Sequence, residues 1–435
     1  MNNYVDVVII GGGFAGVTAA RELTQAGRSV VLLEARSRLG GRTWTRESPL
    51  GRTLEIGGTW VHWIQPHVWA EIVRYDLGIV PSPVPERALW LTDGQVKEGT
   101  PDELIDLLDP GMRAVLDPAM RHFPNPHQPD LDVPELKEAD TLSFREKLDS
   151  LDVSAEQRDV LDGMWALNFN GHPENSAWTQ GLRWAALSGG SWQLMFEACA
   201  TYKLAGGTRA LLDAVASDAG AADIRLDTAV RRVVHDAAGV SVTTESGEVV
   251  SAKQAIITLP LNALRSVEFE PALSPVKAKA AAEGQASTGC KFWARIQGEL
   301  APFVAMATSK EPMTFAQLEY HVDGDSLVVG FGPDADGLDV TDRAAVESGL
   351  RQWLPDVRVV AVDGHDWVHD PYSQETWPML RPGQLTEAMS ELRAPESRVR
   401  LAGSDYAEGW AGFIDGAIES AKRSARRVLA DLGEK

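Results

Sequence analysis

The chain has 435 residues, 44 % apolar and 24 % charged, the balance of a globular protein with a large core and the length for two or three domains. With 41 Lys and Arg against 62 Asp and Glu the formal charge is −21, which excludes nucleic acid and anionic lipid surfaces as partners and favours a neutral or cationic small molecule. The two cysteines, Cys199 and Cys290, lie far apart with no metal-like spacing, so neither a disulfide scaffold nor a zinc site is expected.

Met1-Asn2-Asn3 carries no basic region, and no apolar run reaches the ~18 residues that span a bilayer, so a soluble cytoplasmic protein is expected. Val5 to Ile10 is a β-branched run of the length of a buried parallel strand. It stops at Gly11-Gly12-Gly13-Phe14-Ala15-Gly16, a G-x-G-x-x-G pattern that opens a helical segment, Val17 to Ala26, with Gly27 as its stop. A second strand, Ser29 to Leu33, ends at Glu34, about twenty residues beyond the first glycine. Such glycines let backbone N–H groups and a helix N-terminus approach a pyrophosphate, and the acid accepts from ribose hydroxyls. A carboxylate at that point disfavours the 2′-phosphate of NADP.

The segment Glu34-Ala35-Arg36-Ser37-Arg38-Leu39-Gly40-Gly41-Arg42 resembles the E-x-R-x-x-x-G-G-R element of the FAD-dependent amine oxidases, the monoamine oxidase family. Ile56-Gly57-Gly58-Thr59-Trp60 is similar to that family's second glycine pair, where backbone passes close to the isoalloxazine edge. Further blocks extend the resemblance over nearly the whole chain: Tyr202 to Thr208, strands at Thr228-Ala229-Val230 and Ala255 to Pro260, then Gly403-Ser404-Asp405 and Trp410 to Ala417 before an amphipathic helix. The resemblance implies that Val230 meets the adenine, that Asp405 bonds the ribityl chain, and that Gly412, Phe413 and Ile414 bring a helix N-terminus to the flavin. The bacterial branch with cyclohexylamine oxidase and the nicotine-type oxidases is the most similar, cyclohexylamine oxidase being the nearer. That rests on Trp60 to Glu71, Asn168 to Gly171 and Phe196 to Lys203.

The expected architecture is α/β: a Rossmann-like FAD-binding domain with a discontinuous α+β substrate domain, monoamine oxidase-like. FAD-binding parts are expected at 1–78, 203–284 and 377–435. The substrate domain takes 79–202, mostly helical, and 285–376, an antiparallel sheet.

No nucleophile, metal set or carboxylate pair stands out, so the flavin must carry the chemistry. Lys291 matches the family lysine that reaches flavin N5 through a water and assists reoxidation by oxygen. Trp377 and Phe413 match the paired aromatic rings on the flavin face, which align a neutral amine. Neither ring carries a hydroxyl, so the cage is dry and suits an apolar amine. Thr376 stands where covalent relatives carry the attaching cysteine, which implies noncovalent FAD. Trp165, Leu167, Phe169, Trp184, Leu187, Trp192, Leu194, Met195 and Phe196 are candidates for the apolar cavity. The sequence neither places nor excludes a carboxylate or arginine for a second charge on the substrate.

The expected reaction is oxidation of an apolar alkyl or alicyclic primary amine to ketone or aldehyde, ammonia and hydrogen peroxide, with molecular oxygen as acceptor. Alternatives are a nicotine-like or other secondary-amine oxidase or dehydrogenase, with a protein electron acceptor as an option, and a noncatalytic flavin-binding module.

Overall fold

The computed structural model describes residues 4–129 and 134–433; the Met1-Asn2-Asn3 segment lies outside them. Tyr4–Ile10 forms the first strand, buried along its last four residues. Parallel partners flank it on both sides, with Ile10 level with Leu33 of Val30–Leu33 and with Ile257 of Val249–Ile257. Ile257 in turn is level with Leu401 of Val399–Leu401. Four strands therefore end at one edge and deliver Gly11, Glu34, Thr258 and Ala402 side by side, the place where an open α/β sheet binds its ligand. Val240–Thr244, Val230–His235, Glu268–Glu270 and Asp223–Arg225 complete an eight-stranded sheet. The strand expected from Thr228 begins only at Val230, because Thr228 N–H is taken by the carbonyl of Glu34.

Helix Phe14–Gln25 follows the glycine loop and ends at Ala26 and Gly27, the latter at φ +77°, a left-handed helix stop. It packs on Ile414–Asp431, the C-terminal helix, whose Ile418, Ala421, Ala425 and Val428 are fully buried. Ser154 caps Ala155–Phe169 through a reciprocal pair with Gln157, so this helix begins where the capping signal places it.

The second sheet has seven strands in the order Val359–Gly364, Cys290–Ile296, Asp325–Gly332, Phe315–Val322, Phe303–Met306, Arg87–Thr92 and Gln95–Gly99. Its last two strands come from the segment expected to be mostly helical. Residues Arg87–Thr92 pair in parallel with Phe303–Met306, a tertiary pairing that local periodicity could not announce. Pairing of Ile79–Pro81 with Tyr202–Leu204 closes the chain where it leaves and re-enters the first sheet's neighbourhood.

Among the described residues no helix is long and apolar enough to cross a membrane. Nor does any group of three or more His, Cys, Asp or Glu among them suit a metal.

Candidate active site

At the shared strand edge the glycine loop is held tightly. A Cβ on Gly16 would stand 1.9 Å from the carbonyl oxygen of Gly11, so only glycine lets the helix start there. No side chain caps the N-terminus of Phe14–Gln25, which leaves its first N–H groups for a ligand. Glu34 is buried, accepting from Gly12 N–H at 2.6 Å and from Arg36 N–H at 2.8 Å. These two bonds fix the carboxylate at the loop while leaving lone pairs for hydroxyl donors.

Two of the three arginines of the next segment are paired with protein acids, while Arg38 donates to the backbone carbonyls of Leu39, Gly41 and Thr43. Arg36 pairs with Asp370 at 2.5 Å and donates to Ser373 at 2.9 Å. Arg42 pairs with Glu375 at 2.6 Å and with Asp405, and donates to Thr376 O at 2.7 Å and to Ser404 Oγ at 3.0 Å. Burial, and then the charge of Asp405, push Glu375 well above the usual carboxylate range. Burial opposes the charge of Asp405, but Arg42 together with hydrogen bonds from Glu375 and Leu261 N–H holds it below that range. Its second oxygen accepts from Leu261 N–H at 2.9 Å. Asp405 thus braces Arg42 from behind and does not border the cavity.

A cavity of about 420 Å³ runs from the glycine loop to the second sheet. Every residue named above for cofactor or catalysis borders it except Gly16 and Asp405. The far end is built by the antiparallel sheet. Lys291 is level with Phe331 and Phe331 with Phe315, so the three side chains share a row on one face. Lys291 Nζ donates to Glu55 O at 2.9 Å, Gly57 O at 2.8 Å and Thr59 Oγ1 at 2.7 Å. Burial pulls this ammonium down to about 7. The turn it holds is narrow, since a Cβ on Gly57 would lie 2.0 Å from Arg42 O.

Trp377 and Phe413 both line the cavity, and Gly412, at φ +87° beside Phe413, lies against Trp377: its added Cβ would stand 3.5 Å from the Cβ of Trp377. Different neighbours fix each ring. Trp377 donates to Asn168 O at 2.9 Å and meets Phe331 edge-on at 6.2 Å, while Phe413 packs edge-on against Trp184 at 5.0 Å and Trp410 at 5.1 Å. Of the apolar candidates, Leu167, Trp184 and Phe196 line the cavity. Trp165, Phe169, Trp192 and Met195 are buried in the core instead, and Leu187 and Leu194 lie off the lining. Sequence reasoning missed Asn168, Phe315, Gln317 and Phe331 as lining residues. Strand alternation was the available signal, but it does not say which face meets the cavity.

The sequence profile of flavin containing amine oxidoreductases matches residues 14–429. The chain belongs to this family. An FAD-containing amine oxidoreductase fits the donor set found here: an uncapped helix end, a buried ribose-type acceptor at Glu34, and a cavity whose lining extends from the glycine loop to apolar residues of the second sheet. Pseudooxynicotine dehydrogenase from a Pseudomonas species is 39 % identical over 433 residues, which cover 98 % of this chain and 86 % of that protein. The (S)-6-hydroxynicotine oxidase of Paenarthrobacter nicotinovorans is 31 % identical over 446 residues, 98 % of this chain and 99 % of that one. Among solved structures, cyclohexylamine oxidase from Brevibacterium oxydans IH-35A superposes with a TM-score of 0.83 over 99 % of this chain and 100 % of its own, at 21 % identity. This amine oxidoreductase is therefore more similar to the nicotine-type relatives than to cyclohexylamine oxidase, the reverse of the order expected from short blocks.

Proposed function

We propose that this amine oxidoreductase oxidises the Cα–N bond of an uncharged amine carried on an apolar, ring-bearing body. The observation that supports the reading is the chemistry of the substrate end. Its lining includes Leu167, Trp184, Phe196, Phe331, Trp377 and Phe413, while the acids and arginines on the lining, Glu34, Glu245, Arg36 and Arg42, lie with the glycine-loop end. A second ammonium on the substrate would be buried there without a counter-charge, Lys291 being the charged group on that part of the lining.

FAD, bound noncovalently, supplies the acceptor for the hydride equivalent lost from Cα. Glu34 would hold the ribose hydroxyls, and the uncapped end of Phe14–Gln25 would hold the diphosphate. Gly403, Ser404 and the Gly412 to Ile414 turn, which line the same cavity, would hold the remainder. Trp377 and Phe413 align the nitrogen and exclude water. Lys291, at the Gly57 and Thr59 turn, would supply, while protonated, the positive charge that assists oxygen, and in that state it would also repel an ammonium. The imine product hydrolyses to a ketone or aldehyde plus ammonia or a smaller amine. We further propose that the cofactor unit comprises 1–78, 203–284 and 377–435, and that the enzyme works in the reducing cytoplasm.

Identity to two relatives named for nicotine-type substrates favours a ring-bearing amine of that type. An alicyclic primary amine is the second reading, favoured by the apolar cage without a hydroxyl. The first relative's name, dehydrogenase, makes a protein acceptor the alternative to oxygen. A panel of both amine types, followed by anaerobic bleaching of the flavin and then by peroxide in air, tests substrate and acceptor separately. No bleaching with any amine would leave only a noncatalytic flavin module.

A further inference from the structure

One polar side chain on the apolar wall has its direction set by charge. Gln317 borders the cavity and is about nine-tenths buried. Its Nε2 donates to Glu319, a buried carboxylate ion-paired with buried Lys203. An ion-paired carboxylate only accepts, so the amide cannot turn over without placing oxygen against oxygen. Oε1 is therefore the end left for the cavity, and no donor among the described residues reaches it.

Position along the sheet separates this acceptor from the aromatic cage. Gln317 is level with Val329 and Val304, one row beyond the Lys291, Phe331 and Phe315 row, about 7 Å along the strand. Phe331 stands 6.2 Å from Trp377 on one side and 6.2 Å from Trp60 on the other. Lys203, the anchor of Glu319, is bridged to Trp60 through the backbone. Gln317 thus belongs to the Trp60 side, away from Trp377 and Phe413.

We propose that Gln317 is a specificity-determining residue whose locked carbonyl oxygen accepts a hydrogen bond from an N–H or O–H donor on the body of the substrate, remote from the nitrogen being oxidised. The inference rests on the amine reading above and deepens it: the preferred substrates are amines with a donor on the far side of the ring. A methyl group in the donor's place leaves a buried carbonyl unpaired, which is how such sites reject an isostere.

The test uses the holoenzyme and cumylamines, apolar amines with no hydrogen on the carbon bearing nitrogen, carrying either an amino or a methyl group at the meta or para ring position. Dissociation constants are read from perturbation of the flavin absorbance. In the wild type at least one amino isomer should bind about tenfold more tightly than its methyl counterpart. That margin should vanish in Gln317→Leu. It should also shrink in the double variant Lys203→Met, Glu319→Gln, which keeps the interior neutral but frees the amide to turn. Absence of any amino preference in the wild type, or a preference that survives either variant unchanged, overturns the assignment. Anaerobic flavin reduction by the matching benzylamines is scored separately: reduction without a donor preference overturns the role of Gln317 alone, and no reduction by any amine overturns the amine reading.

Discussion

Lys291 Nζ donates to the carbonyl oxygen of Gly57 over 2.8 Å, tying the antiparallel sheet to the glycine turn of the cofactor side. Replacing this lysine by methionine keeps the length of the side chain and removes the charge. Lys291→Met should leave anaerobic flavin reduction by amine within a few-fold of wild type and slow reoxidation by oxygen at least about tenfold. Because burial pulls Lys291 down to about 7, the wild-type reoxidation rate should fall as pH rises through that value. Rapid-mixing measurement of the two half-reactions checks both; loss confined to reduction would place the lysine in substrate binding.

Glu34→Ala should weaken FAD retention. The side chain is a charged acceptor, worth about 1.5–3 kcal/mol, so the dissociation constant should rise roughly ten- to 150-fold. Titration of apoprotein with FAD measures it, and unchanged affinity would remove Glu34 from the cofactor site.

Acid precipitation should leave the yellow colour in the supernatant. Thr376 offers no thiol for attachment, its hydroxyl being engaged with Ser287. Of the two cysteines, only Cys199 borders the cavity. Flavin retained in the pellet would mean a covalent bond.

Asp415, in the first turn of the C-terminal helix, caps a different helix, Pro66–Arg74, by accepting from His67 N–H at 2.6 Å and Val68 N–H at 2.8 Å. Burial, reinforced by Glu419, pushes its carboxyl up to about 7 against these two bonds. A carboxyl raised in the folded state holds its proton more tightly there than in the unfolded chain. Its contribution to stability is therefore lost as pH rises from about 4 to about 7. Asparagine keeps an accepting oxygen and cannot ionise. The melting temperature of Asp415→Asn relative to wild type should climb across that window and level off above it, and a pH-independent difference would contradict the shift.

The parts that local pattern specifies were legible: a strand, a glycine loop, a helix stop at Gly27 and a capped helix at Ser154. In these the chemistry of one short segment decides its conformation. That Trp377 and Phe413 share the cavity lining was legible only through resemblance, since nothing local to either residue says that the Gly412 turn lies against Trp377. What escaped were consequences of pairing. Arg42 reads as a free cation until Glu375 and Asp405, more than 300 residues away, are folded against it. Phe315 and Gln317 read as ordinary strand residues, because the period of two gives their common face but not what that face covers.

The central claim is that an uncharged amine reacts within the Trp377 and Phe413 cage, and anaerobic flavin reduction measured against amine concentration at several pH values tests it most directly. An alkylamine is almost wholly ammonium at pH 7, and the substrate end offers it no carboxylate. For wild type, the reduction rate constant divided by the apparent dissociation constant should therefore rise tenfold per pH unit until the pKa of the amine is reached. Trp377→Ala should keep that slope and lower the limiting reduction rate more than it weakens binding. A pH-independent wild-type profile, or a Trp377→Ala enzyme altered only in apparent binding, would contradict the account.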